Sequence, residues 1–240
     1  MDSKVMLGSL VHPIKEYCLY SWFEELKEFQ SQFSDVTIAD TSDGIDFSKY
    51  PMENSYTVDR VSSQNMFKRI ALGRKTILEA FLESDCEYLF FLECDIFIDS
   101  GLVPTLVQRD KPVIGVPYIM GYLRDSDTRL KKDYLTSALD FDRRLSMTMK
   151  ELTEAADGDT VAVNEMGFGC LLLRRDVCEI IEENFEVPEK SCDDSVLYEI
   201  LRDHDIKRLA DISQIKNVRH YPHFHMNYAT FDRYLEKHGS

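Results

Sequence analysis

Two carboxylates one residue apart, in Glu93-Cys94-Asp95, close an apolar and aromatic run at residues 88–92. A run of that length and composition suits a buried strand. In an open α/β sheet, ligands bind beyond the carboxyl ends of the strands, so the acidic pair stands at the rim of a site. Hard divalent cations take oxygen ligands and are commonly held by one or two carboxylates together with substrate phosphates. The chemistry offered is therefore that of a metal–diphosphate platform. The plainer alternative is a strand that merely ends in acidic residues.

Other residue types that do chemistry are spread along the chain. Asp40 ends a short apolar stretch and opens the loop-forming cluster Asp40-Thr41-Ser42-Asp43-Gly44. Such an aspartate accepts a hydrogen bond from a ligand N–H or bonds back to its own turn. Arg74 and Lys75 lie on an amphipathic stretch, where basic residues neutralise phosphate or stay solvated. Asp193 and Asp194 begin a helical pattern, with Ser191 three residues before Asp194 as in an N-terminal cap. One aspartate of that pair suits a general base and the other a helix-end partner. Three histidines in six residues, His220, His223 and His225, suggest metal ligands or polar loop residues. Gly167 and Gly169 flank Phe168 and permit close backbone approach, or mark a bulged strand entrance.

These residues need a framework, and strands alternate with helices as in an α/β sheet. Strands are expected at residues 4–10, 36–39, 88–92, 112–116, 167–173, 206–209 and 215–218. Helices are expected at 17–33, 66–82, 102–108, 175–184, 192–203 and 227–237. Residues 117–160 show no clear strand and read as an insertion or mobile lobe.

The 240 residues are 44% hydrophobic and 30% charged, as in an ordinary globular protein of one domain. A net charge of −15 repels nucleic acid and anionic lipid, so neither is an expected partner. It also repels nucleotides, which makes a bridging cation or a local basic cluster necessary for a phosphorylated ligand. The six cysteines form no C-x-x-C pair and no zinc-like spacing, and read as reduced thiols in a cytoplasmic setting. No apolar run approaches the ~20 residues of a membrane span, and the amino terminus has no signal-peptide pattern.

Four motifs in order resemble the GT-A glycosyltransferases, especially the family 2-like members that use nucleotide sugars. They are Val5-Met6-Leu7-Gly8-Ser9-Leu10 with Lys15-Glu16-Tyr17-Cys18-Leu19, the stretch VTIADTSD at 36–43, Glu93-Cys94-Asp95, and Gly167 to Arg175 followed by Cys192-Asp193-Asp194. The resemblance runs over most of residues 4–220 and departs at Glu93, where the family has aspartate, and in the basic helix RIALGRKTILEAF.

It implies a Rossmann-like α/β/α sandwich with a mixed, mostly parallel sheet. Residues 1–116 would form the nucleotide-sugar half, 117–160 the variable lobe, and 161–240 the acceptor and metal-completing half. It implies a UDP- or GDP-linked sugar donor, Mn²⁺ or Mg²⁺, and a glycan, lipid-linked or protein acceptor. Val11, Asp40, Arg74, Glu93, Asp95 and Gly167 would line the donor. Asp95, Glu93 and His220 would meet the metal, Asp194 would be the base of an inverting transfer, and Asp193 would contact a sugar. Two rivals use a similar sheet: a nucleotidyltransferase that makes nucleotide sugars, and a silent nucleotide-sugar-binding protein. The first needs a glycine-rich, basic phosphate loop after the first strand, which Gly8 to Pro13 does not supply.

Overall fold

The first strand, β1 (Val5–Val11), is buried at every position and carries no polar alternation, as a parallel strand covered on both faces should. The computed structural model describes residues 3–12, 15–42, 44–51, 56–63, 65–119, 135–139, 146–188 and 193–220. After β1 come α1 (Glu16–Phe29), β2 (Asp35–Asp40), β3 (Thr57–Arg60), α2 (Met66–Glu83), β4 (Tyr88–Leu92) and β5 (Ile96–Ile98). Next are α3 (Leu102–Gln108), β6 (Val113–Gly115), β7 (Leu135–Leu139), β8 (Ser146–Thr148), α4 (Met149–Ala155) and β9 (Thr160–Ala162). The remaining elements are β10 (Glu165–Met166), β11 (Cys170–Arg174), α5 (Arg175–Asn184), α6 (Asp193–Asp203), β12 (Leu209–Asp211) and β13 (Val218–His220).

Eight strands form the main sheet in the order β3-β2-β1-β4-β11-β6-β12-β9. Only β11 and β9 run against the rest, so the sheet is mixed and mostly parallel, as the sequence led us to expect. Helices cover both of its faces. The run Tyr88–Leu92 lies at its centre between β1 and β11, fully buried. Burying one of its Phe or Leu side chains contributes about 1.5–3 kcal/mol.

Helix α2 starts on Asn65, whose side chain accepts from the Phe67 and Lys68 amides. It then lies close over β1, because a Cβ on Gly8 would come within 2.3 Å of Ile77. It packs against α5 and α6, and α2 and α5 between them touch β2, β1, β4 and β11.

Several expectations are corrected. Residues 117–160 hold strands: β7 pairs with β8 on one side and with β10 on the other in a three-stranded sheet, and β9, which begins at Thr160, edges the main one. The late strands fall at Leu209–Asp211 and Val218–His220, while Ile215–Asn217, expected as strand, is a 3₁₀ turn. β3 and β5 were not foreseen at all. The first helix ends at Phe29 and continues only as a 3₁₀ turn, Gln30–Gln32. The helix expected at 227–237, Cys192, His223 and His225 lie outside the described residues.

Candidate functional site

Because β1, β2 and β4 are parallel neighbours, Val11, Asp40 and Glu93 come to one edge of the sheet. The chain turns over Glu93 to Ile96, with the Ile96 amide on the Glu93 carbonyl at 2.9 Å, and runs on as β5. β13 pairs antiparallel with β5, setting His220 opposite Ile96. That ribbon places the His220 Nε2 3.6 Å from Asp95 Oδ2, although the two are far apart in sequence.

The rest of the imidazole is fixed. His220 Nδ1 lies 3.0 Å from the Ile119 carbonyl oxygen. A carbonyl only accepts, so Nδ1 is the donor there and Nε2 is the ring nitrogen turned toward Asp95. In the neutral ring Nε2 would face the carboxylate with a lone pair, an arrangement that a proton or a cation between the two relieves. A histidine that donates its other ring N–H to a backbone carbonyl is the common arrangement of a metal ligand. The Tyr118 ring packs against the imidazole at 4.9 Å between centroids.

The other Asp95 oxygen meets Lys15, which stands between β1 and α1. Its Nζ is 3.0 Å from Asp95 Oδ1 and 2.5 Å from Glu93 Oε2. Glu93 Oε1 in turn accepts from Arg74 Nη2 at 2.8 Å, so both Glu93 oxygens face cations of the protein itself. Burial would raise both carboxyls, yet Lys15 and Arg74 hold Glu93 below its usual range, and Lys15 and His220 bring Asp95 down to about 2. Burial likewise disfavours the charged Lys15, but Glu93 and Asp95 outweigh it and raise its ammonium pKa.

Arg74 is a bridge rather than a solvated phosphate ligand. Its Nε reaches Asp193 Oδ2 at 3.0 Å, and its guanidinium carbon lies 4.4 Å from the Phe168 centroid and 5.2 Å from that of Phe91. Only Nη1, buried, makes no hydrogen bond. Asp193 Oδ2 is therefore engaged by Arg74 within the protein. Its neighbour Asp194 is half-buried, and burial followed by Asp193 pushes its carboxyl well above the ordinary value. The proposed Ser191 cap lies outside the described residues.

Asp40 is fully buried and divided between two roles. Its Oδ1 accepts from the Ser42 amide at 2.9 Å and hydroxyl at 2.5 Å, the local turn that a loop aspartate commonly makes. Its Oδ2 has no hydrogen bond, and Arg60 Nε stays 3.7 Å away. Val11, opposite Asp40 in register, gives its carbonyl to the Thr41 amide and hydroxyl at 2.9 and 3.0 Å. Gly167 does permit close approach, but by Tyr118: a Cβ there would come within 2.2 Å of the Tyr118 hydroxyl. Room expected for a sugar beside Gly167 is filled by a side chain.

Lys15 and Tyr118 are the site residues that sequence reasoning missed as individuals. A basic residue at the junction of the first strand and helix was a usable signal for Lys15. Tyr118 had none, since its segment is held by the distant β7, where Thr136 bridges Ile119 and the Ser137 amide donates to the Tyr118 carbonyl.

Among the described residues, no three His, Cys, Asp or Glu side chains converge as a metal cage. Asp95 Oδ2 and His220 Nε2 are a two-donor position. That donor set fits Mg²⁺ or Mn²⁺ when phosphate oxygens complete the coordination, because such ions keep few protein ligands.

No family model matches the chain, and no curated protein matches it in sequence. Solved structures resemble it in fold. One is CMP:2-keto-3-deoxy-manno-octonic acid synthetase complexed with CTP, 13% identical, covering 98% of each chain with a TM-score of 0.51. Another is A197 from STIV, 15% identical over 91% of this chain and 86% of that one, with a TM-score of 0.49. The first shares the mixed, mostly parallel α/β architecture from end to end. No helix among the described residues is long and apolar enough to cross a membrane.

Proposed function

We propose that the chain moves a sugar from a UDP- or GDP-linked donor to a hydroxyl of a glycan, lipid-linked or protein acceptor, with inversion at the anomeric carbon. The observation that carries this is the facing pair Asp95 Oδ2 and His220 Nε2, with the imidazole oriented by the Ile119 carbonyl. Mn²⁺ or Mg²⁺ held there would stabilise charge on the leaving diphosphate as a Lewis acid.

The chain's own groups do the rest. Asp40 Oδ2, buried and without a hydrogen bond, accepts an N–H of the base. Glu93 orients Lys15 and Arg74 and stays out of the metal's ligand set, since both its oxygens already meet cations. Asp194 takes the acceptor proton as the hydroxyl attacks, its raised carboxyl making it a stronger base than a solvated aspartate.

A second reading, nucleotidyl transfer from a nucleoside triphosphate, gains from Lys15. Just past the Gly8 to Pro13 stretch, Lys15 brings a cation onto the acidic pair. Product analysis separates the two. A panel of UDP- and GDP-sugars with Mn²⁺ should release nucleoside diphosphate in the presence of an acceptor. Pyrophosphate released from a nucleoside triphosphate and a sugar or sugar acid, with no diphosphate from any donor, would replace this reading with the second.

A further inference from the structure

We propose that Lys15 is a tethered counter-cation that keeps divalent metal off the acidic pair until a nucleoside diphosphate arrives. This rests on the metal–diphosphate reading above and adds an order of binding to it.

Lys15 Nζ lies 2.5 Å from Glu93 Oε2 and 3.0 Å from Asp95 Oδ1 and is largely shielded from water, with 18% of its side chain exposed. Asp95 is thus shared: one oxygen faces the ammonium and the other faces His220 Nε2. A divalent ion between Asp95 Oδ2 and His220 would sit across a single carboxylate from Lys15. Arg74 would stand beyond Glu93 as a second positive neighbour. Like charges so close, and so little screened by water, repel strongly. The carboxylates opposing them, Glu93 and Asp95, already serve the two protein cations.

The negative charge of a diphosphate removes the conflict. Its oxygens complete the metal's coordination and offer Lys15 a new partner, so the ammonium moves from the carboxylates to the phosphates. Metal and nucleotide then raise each other's affinity by the same factor, as linkage requires. The strongly acidic surface gives this order a use, because metal alone would otherwise collect at any exposed carboxylate pair.

Mn²⁺ titrated into the protein with and without UDP, and with GDP in parallel, tests this by calorimetry or water-proton relaxation. In wild type the nucleotide should tighten Mn²⁺ binding by about tenfold or more, within the usual span of allosteric couplings. Lys15→Gln should bind Mn²⁺ alone about tenfold tighter than wild type and lose most of the nucleotide's effect. Lys15→Arg, which keeps the charge, should behave as wild type. Mn²⁺ bound alike by wild type and Lys15→Gln overturns the role of Lys15 and leaves the metal site standing. If neither protein binds Mn²⁺ even with nucleotide, the metal reading falls and this one with it. Should Lys15→Gln not fold, the wild-type titration still decides, because equal Mn²⁺ affinity with and without nucleotide refutes the proposal.

Discussion

Replacing Arg74 by Met tests the electrostatic framework of the site at its most buried point. The guanidinium joins Glu93 at 2.8 Å and Asp193 at 3.0 Å, with 7% of the Arg74 and Asp193 side chains exposed. Methionine keeps much of the aliphatic length against Phe168 and Phe91 but strips both carboxylates of that partner. Removing one member of a buried ion pair costs about 3–5 kcal/mol, because the remaining charge stays desolvated. Glu93 keeps Lys15, and Asp193 loses its Arg74 contact beside Asp194, whose carboxyl is already hard to ionise. With an m-value of about 2 kcal/mol per molar urea, the unfolding midpoint should drop by roughly 1.5–2.5 M at pH 7. Arg74→Met/Asp193→Asn should recover much of it, since replacing both partners of a buried pair is often close to neutral. A single-mutant loss below about 1 kcal/mol, the range of exposed ion pairs, would refute the view of Arg74 as a buried bridge.

Asp194→Asn should abolish transfer yet melt higher than wild type above neutral pH. A carboxyl raised by burial favours the fold when protonated and loses that contribution as pH rises through its folded value, whereas the amide never ionises. Equal or lower stability of the variant at pH 8 would remove that argument. Asp95 has the opposite sign. Its carboxyl, held down to about 2, contributes stability above the ordinary carboxylate range that disappears as pH falls from about 4 toward about 2. That contribution is on the order of 2 kcal/mol, and an acid titration followed by circular dichroism should lack this limb in Asp95→Asn. Gly167→Ala should destabilise by about 1–3 kcal/mol through the clash with the Tyr118 hydroxyl, and Tyr118→Phe in the same chain should relieve most of it. An unaltered melting temperature for Gly167→Ala would show that Tyr118 does not fill that space.

The parts of the fold legible in the sequence are those whose burial imposes a local pattern. Tyr88–Leu92, Leu102–Gln108 and Arg175–Asn184 fall where the apolar runs and helical spacing put them. Three residues carry too little period to place a strand securely: Val113–Gly115 was found within its apolar run, but Ile96–Ile98 went unseen and the late strands were displaced by two or three residues. That failure matters for the site, because the β5–β13 ribbon alone sets His220 beside Asp95. Residue type identified the acidic pair, Arg74 and the two aspartates of α6 as chemistry-bearing. It did not reveal their pairings. Arg74 turns inward to Asp193, Lys15 takes the place beside Glu93, and Tyr118 fills the space that Gly167 leaves. Each is a side-chain direction fixed by contacts between distant segments, which residue spacing does not encode.

Crystals grown with Mn²⁺ and UDP or GDP, measured for the anomalous signal of manganese, address the central claim most directly. The account predicts one strong peak bonded to Asp95 Oδ2 and His220 Nε2, with diphosphate oxygens completing its shell and Lys15 turned onto the phosphates. Nucleotide bound elsewhere, or bound here with no manganese and Lys15 still on Glu93 and Asp95, would contradict it.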